Sequence, residues 1–115
     1  MRSGGVAQAN EARGVVDFEY LETFCAGDMQ VVAEVLAVFR DQAQAWAESL
    51  ADPRGDWRAL SHTIKGSARA VGARALGEAA EQAENLGPAV LPLVRAELTE
   101  AMAEVEGYLS RIGGG

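Results

Sequence analysis

The sequence is short of the residues that most often carry covalent or metal chemistry. It has one cysteine, Cys25, one histidine, His62, and one lysine, Lys65. A single thiol cannot close an intramolecular disulfide and excludes a cysteine metal cluster. Basic residues are scarce too, 10 against 17 acidic for a net charge of −7. That balance argues against a general binder of nucleic acid or anionic membranes, whose surface is normally basic. No apolar run is long enough to span a bilayer, and the start, Met1-Arg2-Ser3-Gly4-Gly5, lacks the apolar stretch of a secretion signal. These absences point to a soluble protein of a reducing compartment, most simply the cytoplasm. Valine, isoleucine and threonine total only 16, against 22 alanines. Alanine is the strongest helix former and branched side chains favour strands, so an all-α fold is expected. A chain of 115 residues holds one domain with one core, too little for a nucleotide-binding catalytic domain as well.

What is present is helical periodicity broken at glycine, proline and aspartate. Residues 1–15 read as a flexible arm, 16–112 as the folded domain and 113–115 as a flexible tail. Asp17 can cap a short helix running to about Ala26, with Phe18, Leu21 and Phe24 or Cys25 facing inward. Asp28 can cap the next, where Val32, Val35, Leu36, Phe39, Ala43, Trp46 and Leu50 form a stripe at spacings of three and four. Asp52-Pro53-Arg54-Gly55 is a turn, and Asp56 can cap a third helix with Trp57, Leu60, Ile64, Ala68 and Val71 as its apolar stripe. Gly72 ends it. A fourth helix carries Leu76, Ala79, Ala80, Ala83 and Leu86 up to Gly87-Pro88. The last carries Leu91, Val94, Leu98, Met102, Val105, Leu109 and Ile112 and starts by Pro92. Four amphipathic helices with short loops predict an antiparallel four-helix bundle, with the short first helix as an addition. Gly66, Gly77 and Gly107 fall inside helical patterns, where each costs roughly 1 kcal/mol relative to alanine and so calls for a reason. Trp46, Trp57 and Cys25 read as packing residues. Glu97, Glu100, Glu104 and Glu106 read as a solvated charged run, and with one histidine in the chain no metal site is expected.

The third helix is also a chemical surface. At about 100° per residue, its apolar stripe lies within about 60° of Trp57, whereas His62, Lys65, Gly66 and Arg69 fall between about 80° and 180°. His62 is therefore expected to be exposed. Gly66, four residues on, clears space beside its ring. From Trp57 to Gly77 there are four cations, Arg58, Lys65, Arg69 and Arg74, and no acid, a pattern prepared for an anion. A neutral imidazole is a good nucleophile near physiological pH. A phosphoryl group on it could be stabilised by Lys65 and Arg69 through charge-assisted hydrogen bonds. Phosphoryl transfer needs in-line access and charge stabilisation more than further covalent machinery.

The run Ser61-His62-Thr63-Ile64-Lys65-Gly66-Ser67-Ala68-Arg69-Ala70-Val71-Gly72-Ala73 resembles the signature of histidine-containing phosphotransfer (HPt) domains. In that signature a His is followed after two residues by Lys-Gly, then two small residues, then a hydrophobic residue and Gly-Ala. Gly27-Asp28 before the long helix and Asp56-Trp57 before the histidine helix also look familial. Ser61 stands where alanine is usual. The resemblance implies a phosphocarrier in a His–Asp relay, with no ATP-dependent kinase activity and no cofactor of its own. His62 would be the phosphoryl acceptor, Lys65 the phosphate-stabilising residue and Gly66 the clearance for a partner. Ser67 and Ala68 would be small positions near the site. Glu84 would orient the imidazole from the next helix, where family members place Glu or Gln; Gln82 is the less well placed alternative. The implied partners are receiver domains of response regulators and of hybrid histidine kinases, with any Mg²⁺ belonging to the receiver. The protein is expected to act as a monomer, with no nucleic-acid or membrane partner.

Two other readings stay open on the sequence: a phosphoacceptor fragment of a chemotaxis-type histidine kinase, and an HPt-like bundle that docks receivers or kinases as an inhibitor. The intact His62, Lys65 and Gly66 count against the latter. For a receiver, the expected docking face adds Val31 and Val38 of the second helix. They sit two turns apart, about 100° from the centre of the core stripe, and Arg58, Arg69 and Lys65 are expected to flank them.

Overall fold

A computed structural model describes residues 15–52 and 54–113. Apart from Val15, the expected N-terminal arm lies outside these residues, as do the last two positions of the expected tail. Among the described residues five α-helices follow one another: α1 Phe18–Phe24, α2 Met29–Leu50, α3 Trp57–Val71, α4 Arg74–Leu86 and α5 Leu91–Ile112, with a 3-10 turn Pro88–Val90 before the last. Short connections make α2 to α5 successive antiparallel neighbours, and α2 closes the bundle against α5. No helix among the described residues is long and apolar enough to cross a membrane.

The caps stand where short acidic side chains precede the apolar stripes. Asp17 accepts from Tyr20 N–H, Asp28 from Gln30 and Val31 N–H, and Asp56 from Ala59 N–H. Each satisfies a backbone donor that the first helical turn leaves unpaired. Leu36, Ile64, Leu76, Leu98, Val32, Val94 and Val105 fill the centre. On α4 the inward positions are small, Gly77, Ala79, Ala80 and Ala83, so its backbone lies close to α3. A Cβ at Gly77 would meet Arg69 Cγ at 3.2 Å, which gives that glycine its reason.

Gly72 closes α3 in the left-handed conformation, with φ 85°, and its carbonyl accepts from Asp17 N–H at 2.8 Å. A Cβ there would fall 2.7 Å from the Asp17 carbonyl oxygen, so α1 can dock only on a glycine. The other end of that docking comes from α5. Glu104 takes Val15 and Val16 N–H at 3.0 and 2.9 Å, and Tyr108 stacks on Phe18 with ring centroids 4.1 Å apart. The Tyr108 hydroxyl donates to the Glu22 carboxylate. Burial first, then that carboxylate, push the phenol up to about 12.

Several expectations need correction. Leu86 is 74% exposed, and of the alternatives Phe24 and Cys25 it is Cys25 that packs against the core while Phe24 is 75% exposed; Phe24 and Leu86 both sit in a last turn, beyond the reach of the core. Trp57 and Leu60 are only half-buried, at the open start of α3, while Ser61 is fully buried with its hydroxyl unpaired. Glu104 is not simply solvated, because it clamps the chain before α1. Glu106 faces Arg40 at 3.6 Å.

Candidate functional site

Three α3 side chains at intervals of one and two turns, Arg58, His62 and Lys65, converge on one residue of α4, Glu84. The helical period puts positions i, i+4 and i+7 on one line, and the small inward residues of α4 bring its backbone within their reach. His62 Nδ1 lies 2.9 Å from Glu84 Oε2. Lys65 Nζ forms an ion pair with Oε1 at 2.8 Å. Arg58 Nη1 donates to the Glu84 carbonyl at 3.1 Å, and its guanidinium lies 5.0 Å from the centre of the Trp57 ring.

The imidazole is 69% exposed, whereas the carboxylate holding it is 21% exposed and Lys65 is similarly covered. A ring open to solvent is thus fixed from its sheltered side. Lys65 above all, and then His62, hold the Glu84 carboxyl below the usual carboxylate range against a smaller opposing effect of desolvation. An ionised carboxylate only accepts hydrogen bonds, so the proton of the contact sits on Nδ1. A neutral ring then carries its lone pair on Nε2, facing away from Glu84. That arrangement is a nucleophile with its tautomer set.

A Cβ at Gly66 would find nothing within 4 Å. Among the described residues nothing accounts for this glycine, and the surface beside His62 is left low. The cations expected to form a basic patch are largely paired across helices. Arg69 meets Glu81 at 2.8 Å, Arg74 approaches Asp17 at 3.5 Å, and Lys65 has Glu84. The acid-free window of sequence ends at Gly77, one residue before the acids of α4 begin.

On the other side of the His62–Gly66 line, α2 and α3 enclose a shallow apolar groove of ≈ 270 Å³. Val35, Val38, Phe39 and Gln42 line it from one helix, and Ser67, Ala70 and Val71 from the other. Val38 is 57% exposed in it. Val31 is exposed but lies outside the lining. The expected flanking of these valines by Arg58, Arg69 and Lys65 is not what the fold provides. Helical phase turns those three towards α4, so apolar groove and charged edge border the imidazole from opposite sides. A second cavity, ≈ 200 Å³ at the α2–α3 turn, contains none of these site residues. Among the described residues no group of three His, Cys, Asp or Glu side chains could hold a metal ion.

A family model described as Hpt domain matches residues 19–112. The solved structure of histidine phosphotransferase ShpA from Caulobacter crescentus is 48% identical, with a TM-score of 0.79, over 87% of this chain and 95% of that one. No curated protein matches.

Proposed function

Because the chain belongs to the Hpt domain family, we propose that it is a cytoplasmic phosphocarrier of a His–Asp relay, with His62 as its phosphoryl acceptor. One observation carries the reading: an exposed imidazole whose Nδ1–H is held by Glu84, leaving the Nε2 lone pair directed at solvent. In the step this supports, Nε2 attacks the phosphorus of a receiver's aspartyl phosphate. The P–N bond forms as the P–O bond to the aspartate breaks, and the aspartate leaves as a carboxylate. The ring keeps its Nδ1 proton and takes on positive charge, which Glu84 stabilises. The reverse step returns the phosphoryl group to an aspartate of another receiver.

The neighbours fit these demands. Lys65 is a point charge one turn from the ring, which in this reading turns from Glu84 to the incoming phosphoryl oxygens. Gly66 leaves the in-line path open. Val38 and the apolar groove beside Ser67 offer a receiver a hydrophobic centre, with Val31 beyond it and Arg69 on the far polar edge. In this reading the phosphoryl group comes from a receiver partner.

The reading is tested by incubating the protein with a panel of phosphorylated receiver domains. Acid-labile, base-stable phosphate should appear on it, as expected for a phosphoramidate. Stable receiver binding with no label would instead favour a docking protein that carries no phosphate.

A further inference from the structure

The last carbonyls of a helix have no partner within it and must find one elsewhere. At the end of α4 this is acute for Glu84. Its i+4 residue is Pro88, which has no N–H to offer, and Gly87 leaves the helix with φ 115° and ψ −179°. Arg58 Nη1 supplies the missing hydrogen bond from α3 at 3.1 Å. The guanidinium also sits at the negative end of the α4 dipole, where a cation is favoured. Its other face lies over Trp57, a cation–π contact that restricts where it can go.

We propose that Arg58 is a positioning residue for the chemistry of His62, acting through the α4 terminus, and not a receiver contact. The inference rests on reading His62 as the phosphoryl acceptor. Glu84 is gripped twice from one face of α3: its backbone by Arg58, its carboxylate by His62 and Lys65. The carboxylate can select the imidazole tautomer only while the last turn of α4 is held. Without the guanidinium the Glu84 carbonyl loses its donor, the turn frays, and the carboxylate no longer stays 2.9 Å from Nδ1. The ring proton then redistributes to Nε2, which removes the lone pair from the nitrogen that faces a partner.

The test uses the full chain with Arg58→Met, which keeps an apolar stem on Trp57 but has no donor, and Arg58→Lys, which keeps one. Nitrogen chemical shifts of the neutral His62 ring report the tautomer. Saturation kinetics with a phosphorylated receiver separate the maximal transfer rate from KM. Arg58→Met should raise the Nε2–H fraction and lower the maximal rate several-fold, with KM changed by less than about twofold. Arg58→Lys should restore most of both. An unchanged tautomer in Arg58→Met overturns the proposal, and so does a raised KM at an unchanged maximal rate, the mark of a receiver contact. The tautomer measurement needs no phosphotransfer, so it still decides the role of Arg58 if His62 takes no phosphate.

Discussion

At Glu84 one carboxylate serves two neighbours, and this makes the fold sensitive to acid. Its folded pKa lies below the ordinary value of 4.5, through Lys65 first and His62 second. A depressed carboxylate pKa adds stability that is fully present above the unfolded pKa and lost as pH falls through the folded one. Urea midpoints measured from about pH 7 down to about pH 3 should therefore fall less steeply in Glu84→Gln than in the wild type. The difference should be modest, because the site is partly solvated and screened. Identical slopes would remove the pairing from the account. Lys65→Ala should shorten the phosphohistidine lifetime or slow transfer by a several-fold factor while helicity is kept; a wild-type lifetime at low salt would deny Lys65 its role. At this scale the sequence was informative where spacing along one helix suffices, as for His62, Lys65 and Gly66. The resemblance to HPt domains also anticipated Glu84 beside the ring, but the sequence misled about the cations, whose partners lie on another helix. A window without acids suggested a bare cationic patch, and only the crossing of α3 with α4 brings Glu81 and Glu84 against it.

Among the elements, α3 is the one whose two faces have different duties, and Gly66 tests them separately. Since a Cβ there meets nothing, Gly66→Ala should raise stability by up to about 1 kcal/mol through helix propensity alone. Gly66→Gln should leave the fold intact and obstruct the receiver. Normal transfer in the glutamine variant would mean that steric clearance is not why glycine stands there. Val38→Asp on α2 should weaken receiver binding far more than it lowers the melting temperature, because the side chain is largely outside the core. The stripes and caps made the helices readable, since each aspartate before an apolar run marks a start and Gly72 or Gly87 a stop. Periodicity fails at the ends, where Phe24 and Leu86 continue a stripe past the last turn that has anything to pack against. For Gly107 the structure offers no reason.

Across the whole molecule, α5 fastens α1 and the chain before it through contacts 86 to 89 residues apart in sequence, Glu22 to Tyr108 and Val15 and Val16 to Glu104. No pattern in the sequence announces them, because a lone tyrosine or glutamate on a helix carries no sign of its distant partner. Tyr108 gives this link a pH signature. Its pKa is raised from 10.0 to about 12, so its contribution is complete below about pH 10 and lost as pH rises towards about 12. Tyr108→Phe, which keeps the ring against Phe18, should flatten the loss of stability across that interval in thermal unfolding; an unaltered alkaline slope would dissociate the phenol from the link. Docked in this way, α1 and the bundle form the frame on which α3 and α4 hold the imidazole. On this frame His62 is the proposed phosphoryl acceptor. The most direct measurement is phosphate transfer from one phosphorylated receiver to the wild type and to His62→Gln in parallel, with circular dichroism showing both folded. Acid-labile label is expected on the wild type and none on the variant; equal labelling of the two would rule out His62 as the acceptor.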